Sequence, residues 1–143
     1  MNEAGPLCGC DHIAYATRDA DATIRLLEML GFSTVVYKQP LERFGVSISK
    51  MMSPRGDIVE IVEPASPTSS VSRLLAHAST VLYHAAFRTG TFGATREALL
   101  AAGALSVSSP ATIPYPATPL HRRFHANHMY HDHLGLFEIT GSD

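Results

Sequence analysis

The chain contains no run of basic residues, and its formal net charge is −2. Such a charge balance provides no electrostatic footprint for nucleic acid or an anionic bilayer, so neither is expected as a partner. No apolar stretch approaches the roughly 18 residues that a membrane-spanning helix requires. Met1 to Gly9 lack the basic start and apolar region of a secretory leader, which makes the cytoplasm the expected compartment. Cysteine is scarce. Only Cys8 and Cys10 occur, too near each other to suit the ~5.5 Å Cα separation of an unstrained bridge. A disulfide framework is excluded, and two reduced thiols near the N-terminus are expected.

What is present is an internal repeat. With 143 residues, 45% of them apolar, the chain suits one domain or two small modules sharing a core. Shifted by 72 positions, Asp11-His12-Ile13-Ala14-Tyr15-Ala16-Thr17 falls on Tyr83-His84-Ala85-Ala86-Phe87-Arg88-Thr89. Leu27 then meets Leu99, and Gly31 meets Gly103. Each half ends in an apolar, strand-like run with a carboxylate at its centre, Ile58–Val62 around Glu60 and Leu136–Thr140 around Glu138. The second Glu comes at an offset of 78, so the later half holds about six additional residues.

Periodicity supplies the elements. Alternation makes Asp11–Thr17 a strand, with Ile13 and Tyr15 on one face and His12, Ala14 and Ala16 on the other. Asp19 or Asp21 caps a helix whose apolar stripe includes Leu26, Leu27, Met29 and Leu30, and Gly31 stands where a C′ glycine ends it. Strands follow over Phe32–Tyr37, Gly45–Met52 and Ile58–Val62, with a turn at Gln39-Pro40 and a hairpin connection at Pro54-Arg55-Gly56-Asp57. A short amphipathic helix with Val71, Leu74 and Leu75 joins the halves. The second half repeats the order with strand Val81–Arg88, helix Gly93–Ala102 and strand Leu105–Ser108. Further strands are expected near Arg122–His128 and Leu134–Thr140. Pro110–Pro119, with four prolines, reads as a loop, the inserted material and a candidate lid. The expected organisation is a single α+β domain, 1–143, of two βαβββ modules (about 11–64 and 80–141) with a linker helix at about 65–79.

Glu60 and Glu138 lie inside apolar runs, where an ionised carboxylate without a partner is costly. His12 and His84 occupy matching positions on the opening strands. Two imidazoles and two carboxylates suit one divalent first-row ion, with coordination left for water or substrate. The ordinary alternative is that each residue has its own hydrogen bonds or solvent-facing site. Four such residues at equivalent positions of a repeat favour the metal.

Taken together, these segments resemble the vicinal oxygen chelate (glyoxalase/bleomycin resistance/dioxygenase) superfamily. Within it, methylmalonyl-CoA epimerase and glyoxalase I-like members are the most similar. The resemblance runs from Asp11 to Thr140. It rests on the order and spacing of Asp11-His12-Ile13-Ala14, Asp19-Ala20-Asp21, Leu30-Gly31-Phe32, Gly45-Val46, Val59–Pro64, Tyr83–Phe87 and Gly135–Glu138. It implies a cup-shaped half-barrel and one divalent metal ion (Ni, Co, Zn, Mn, Mg or Fe) held by His12, Glu60, His84 and Glu138. It also implies a metal-dependent isomerase or lyase working through an enolate on a small carbonyl or thioester substrate, with Glu138 as the base and a homodimer among the expected assemblies. One departure stands out. The epimerase carries a second proton-moving carboxylate on the strand after Gly-Val, and here Ile48 takes that place against the substrate, so two-base epimerisation is not expected.

Other residues are candidates for the remaining roles. His121, His125, His128, His131 and His133 crowd thirteen residues, and histidine suits proton transfer near neutrality. A partly solvated His-rich hairpin is the ordinary reading, and His125 or His128 is the choice for a proton shuttle facing the cavity. Arg88 shares its strand face with His84 and is a candidate for meeting an anionic substrate. Tyr115 and His121 are candidates for the entrance. Two competing functions remain: an extradiol-type dioxygenase using His12, His84 and Glu138 for iron, and a non-catalytic drug- or metabolite-binding protein of the same fold.

Overall fold

The computed structural model describes residues 9–108, 110–113 and 124–141. Cys8, Tyr115, His121, and Pro114, Pro116 and Pro119 of the expected lid lie outside them. The elements in chain order are β1 (Gly9–Thr17), α1 (Ala20–Met29), β2 (Ser33–Leu41), a 3-10 turn (Glu42–Phe44), β3 (Val46–Met52), β4 (Ile58–Pro64) and α2 (Ser70–Leu74). They continue as β5 (Thr80–Arg88), α3 (Phe92–Ala101), β6 (Leu105–Ser106), β7 (Ala111–Ile113), β8 (Phe124–His131) and β9 (Gly135–Gly141). The chain divides into two compact units, one of residues 12–83 and the other of residues up to 11 and from 84 on. Among the described residues no helix is long and apolar enough to cross a membrane.

In the first unit the strand order is β2-β3-β4-β1, antiparallel except for the parallel β1–β4 pair. The connection from β1 back to its parallel neighbour runs through α1. Asp19 caps that helix by accepting a hydrogen bond from the Ala22 amide at 3.0 Å, which satisfies one of the first-turn donors. Ala20, Ile24 and Leu27 form its buried stripe and pack with Met51, Val59 and Ile61, while Ile13, Tyr15 and Phe32 close the edges. Alternation then turns His12, Ala14, Lys50 and Glu60 to the sheet face away from α1.

The second unit repeats this plan with order β5-β9-β8-β6, a parallel β5–β9 pair and α3 as the crossover. Phe92, Ala104, Met129, Phe137 and Ile139 form its core, joined by Phe87, Leu99 and Leu100.

Two local expectations are corrected. Gln39-Pro40 is not a turn but part of β2, where Gln39 pairs with Ile48 and Pro40 with Ser47. β2 pairs on one side only within its unit, so a residue without an N–H is tolerated there. A β-bulge between Val36 and Gln39 accommodates Lys38 at φ 47°, whose amide donates to Ser49 Oγ at 2.9 Å. The expected loop after Pro110 contains β7, which pairs antiparallel with β8 through Ala111↔Ala126 and Ile113↔Phe124.

Candidate functional site

In the first unit, Glu60 lies between Val59 and Ile61, both anchored in the α1 core. Its own side chain therefore emerges on the opposite face. The parallel register places Ala14 against Glu60, and His12 precedes Ala14 by two residues on the same face. The imidazole Nε2 of His12 lies 3.5 Å from Glu60 Oε2. Both groups are buried, His12 at 2% exposure and Glu60 at 7%. Across the antiparallel β3–β4 ladder, Lys50 stands directly opposite Glu60, and its Nζ is 3.6 Å from that same Oε2. Lys50 is fully buried. Ile48, two residues earlier on this face, is also buried and faces Val62 across the ladder.

The second unit has the same construction. Ala86 registers with Glu138, and His84 precedes Ala86 by two. Phe137 and Ile139 are held in the α3 core, which turns Glu138 to the other face. His84 and Glu138 are both buried. His128 stands opposite Glu138 across the β8–β9 ladder, with Nε2 3.2 Å from Glu138 Oε2. Its ring meets that of His84 edge-to-face, centroids 4.8 Å apart and planes at 83°.

The two units thus carry equivalent trios. Glu60 and Glu138 are 78 positions apart, and so are Lys50 and His128, the residues facing them. Each carboxylate has an imidazole from the parallel neighbour strand's face and a nitrogen base or cation from the antiparallel one. A carboxylate left 7% exposed needs such company, since desolvation otherwise drives it to the neutral form.

Lys50 is the site residue that the sequence reading passes over. The available signal was the 78-residue offset, which carries His128 onto it. His125 corrects an expectation. Odd-numbered residues of β8 turn toward the α3 core with Met129, and the His125 ring lies 5.7 Å from that of Phe92. His125 and His128 therefore sit on opposite faces. Arg88 shares the face of His84, and its Nε donates to Asp11 Oδ1 at 3.0 Å.

The family model for the Glyoxalase/Bleomycin resistance protein/Dioxygenase superfamily matches residues 11–119. The chain belongs to this superfamily. Solved structures similar to it include methylmalonyl-CoA epimerase from Mycobacterium tuberculosis, at 18% identity and a TM-score of 0.78, with 100% of this chain and 93% of that one covered. A hypothetical protein from Bacillus halodurans C-125 is 16% identical with a TM-score of 0.75, each chain covered to 95%. A Streptomyces coelicolor methylmalonyl-CoA epimerase variant in complex with 2-nitronate-propionyl-CoA is 22% identical with a TM-score of 0.73, covering 93% of this chain and 96% of that one. These likenesses establish the superfamily's fold for this chain. No curated protein matches it.

Proposed function

We propose that the protein is a divalent-metal-dependent isomerase or lyase acting on a small carbonyl or thioester substrate. In this reading His12, Glu60, His84 and Glu138 hold the ion. The observation that carries it is the repeated register: in both units a buried imidazole lies two residues before an alanine that pairs with a buried glutamate. Superfamily membership supports it. The donor set fits a first-row divalent ion, since imidazole nitrogen and carboxylate oxygen are the ligand types such ions accept. When bound, the ion supplies Lewis-acid polarisation of a substrate carbonyl.

The chain's own residues then do the proton chemistry. Glu138 takes a proton from the carbon next to the carbonyl, leaving an enolate. His128, 3.2 Å from its Oε2, holds the carboxylate in place and passes the proton on. The Ile48 side chain accepts no proton and forms an apolar wall, so the reading is a one-base isomerisation or elimination rather than two-base epimerisation. Arg88 keeps guanidinium N–H groups beyond the one given to Asp11, and these serve an anionic substrate group.

The test is solvent deuterium incorporation into 2-oxo acids and acyl thioesters by the metal-loaded protein, followed by NMR. The reading expects exchange at the carbon next to the carbonyl, abolished in Glu138→Gln. Equal exchange in both proteins would overturn it. One observation favours a second reading. Because Lys50 already accompanies Glu60, His12, His84 and Glu138 would suffice as the triad of an Fe(II) oxygenase. Oxygen uptake with catechols by the Fe(II)-loaded protein distinguishes the two.

A further inference from the structure

The first unit carries a cavity whose residues have no part in the proposed chemistry. Its walls come from the ends of two parallel strands and the segment after them. Arg18 lies just past β1, Pro64 ends β4, and Ser66, Pro67, Ser72 and Leu75 belong to the chain between β4 and β5. Together they line an open cavity of about 510 Å³, within the range of small-molecule sites. It lies away from the buried imidazole and carboxylate of this unit. At about 3.3 Å per residue, Arg18 is roughly 20 Å along the chain from His12, and Pro64 roughly 13 Å from Glu60.

The hydrogen bonds define what the cavity offers. Arg18 is tied to its wall, Nη2 donating to the Leu75 carbonyl and the backbone amide donating to the Ser79 carbonyl at 3.1 Å. The other guanidinium N–H groups are left for a ligand. Ser72 Oγ donates its proton to the Ser66 carbonyl at 2.8 Å, so toward the cavity it can only accept. Among the described residues lining the cavity, Arg18 is the only charged one, and the proline rings, Leu75 and two alanines make the walls largely apolar.

We propose that this cavity binds a monocarboxylate with an aliphatic or aromatic body. The planar fork of Arg18 matches the two carboxylate oxygens, and Pro64, Pro67 and Leu75 cover the body. One guanidinium balances one negative charge. A phosphate monoester carries roughly −1.5 to −2 near neutral pH, more than Arg18 answers, and the lone pairs of Ser72 Oγ oppose a second anionic group.

The experiment is a proton–nitrogen NMR titration of the full chain in EDTA with phenylacetate, 2-phenylethanol, acetate and phenyl phosphate. It is read at the backbone amides of Ala65, Ser66, Ser72 and Ala76. EDTA removes any carboxylate binding that a metal ion would provide, so the outcome is independent of the proposed function. The expected result is saturable binding of phenylacetate, at least about tenfold tighter than 2-phenylethanol or acetate, or roughly 1.4 kcal/mol. Arg18→Met should lose that preference over 2-phenylethanol. No saturable shift in wild type, equal phenylacetate affinity in wild type and Arg18→Met, or tighter binding of phenyl phosphate would each overturn the inference. Should Arg18→Met not fold, Ala76→Phe, at an exposed position of the wall, narrows the cavity instead. Loss of phenylacetate binding in that variant supports the site, and unchanged binding overturns it.

Discussion

At the scale of single residues, a mid-strand charge is tolerated only where its neighbours receive it. Glu60 and Glu138 show this on the face away from the helices. On the exposed side of the first unit, Asp21 shows it differently. The Tyr37 hydroxyl donates to Asp21 Oδ1 at 2.7 Å and Lys38 Nζ donates to Oδ2 at 3.1 Å. These bonds, that from Tyr37 foremost, hold the Asp21 carboxyl below its ordinary value. A carboxyl depressed in the folded state contributes stability that is present above the unfolded value, about pH 4, and is lost as pH falls through the folded one. Tyr37→Phe should therefore flatten the loss of stability on acidification below about pH 4, read as the urea midpoint against pH. An unchanged profile would deny Tyr37 this part. For the chemistry, Glu138→Gln should lower turnover by about a hundredfold or more, the usual scale of a lost general base, with the far-UV circular dichroism spectrum unchanged. The burial of His12, Glu60, His84 and Glu138 was legible because the repeat puts His on His at an offset of 72 and Glu on Glu, each inside an apolar run, at 78. That of Lys50 was not, because a lysine near the end of Ser47-Ile48-Ser49-Lys50-Met51-Met52 reads as the strand running out to solvent. Only the cross-strand register, which puts it opposite Glu60, shows that it points inward.

At the scale of elements, α1 was readable from its cap and its ending glycine, and the strands from alternation. Of the expected apolar stripe of α1, however, only Leu27 is buried; Leu26, Met29 and Leu30 are exposed, and Ala20 and Ile24 complete the buried face. Asp19 is the sharpest such signal, and Asp19→Ala should cost about 1 kcal/mol of unfolding free energy in a denaturant titration. Gly103 ends α3 at φ 98°, a conformation that penalises any Cβ. Gly103→Ala should cost about 1 kcal/mol, and no loss would mean that the backbone relaxes. The ends of β2 were not legible. Proline punctuates most sequences, but with a single neighbour strand in its unit β2 leaves a ladder position that requires no N–H, so Pro40 sits within it. β7 was hidden for a similar reason, three residues beside Pro110 being too short for a period to show. His125 was misplaced by the same coarse view of β8, since a cluster of histidines says nothing about parity until a neighbour such as Met129 is known to be core.

At the scale of the whole molecule, duplication accounts for both the fold and the proposed chemistry. Each unit encloses its own helix-backed core and leaves one carboxylate flanked by two nitrogen-bearing side chains on the other sheet face. Each copy of the repeat supplies one buried imidazole and one buried carboxylate to the donor set of the proposed function. Binding to the folded chain only would also raise thermal stability by mass action, so chelator treatment should lower the melting temperature of the loaded protein. The most direct measurement is Co(II) titration calorimetry on wild type and on His12→Ala, Glu60→Gln, His84→Ala and Glu138→Gln. The account predicts one site per chain in wild type, weakened in every variant whichever unit carries the change. Variants in only one unit losing affinity, or wild type binding no ion at all, would contradict it.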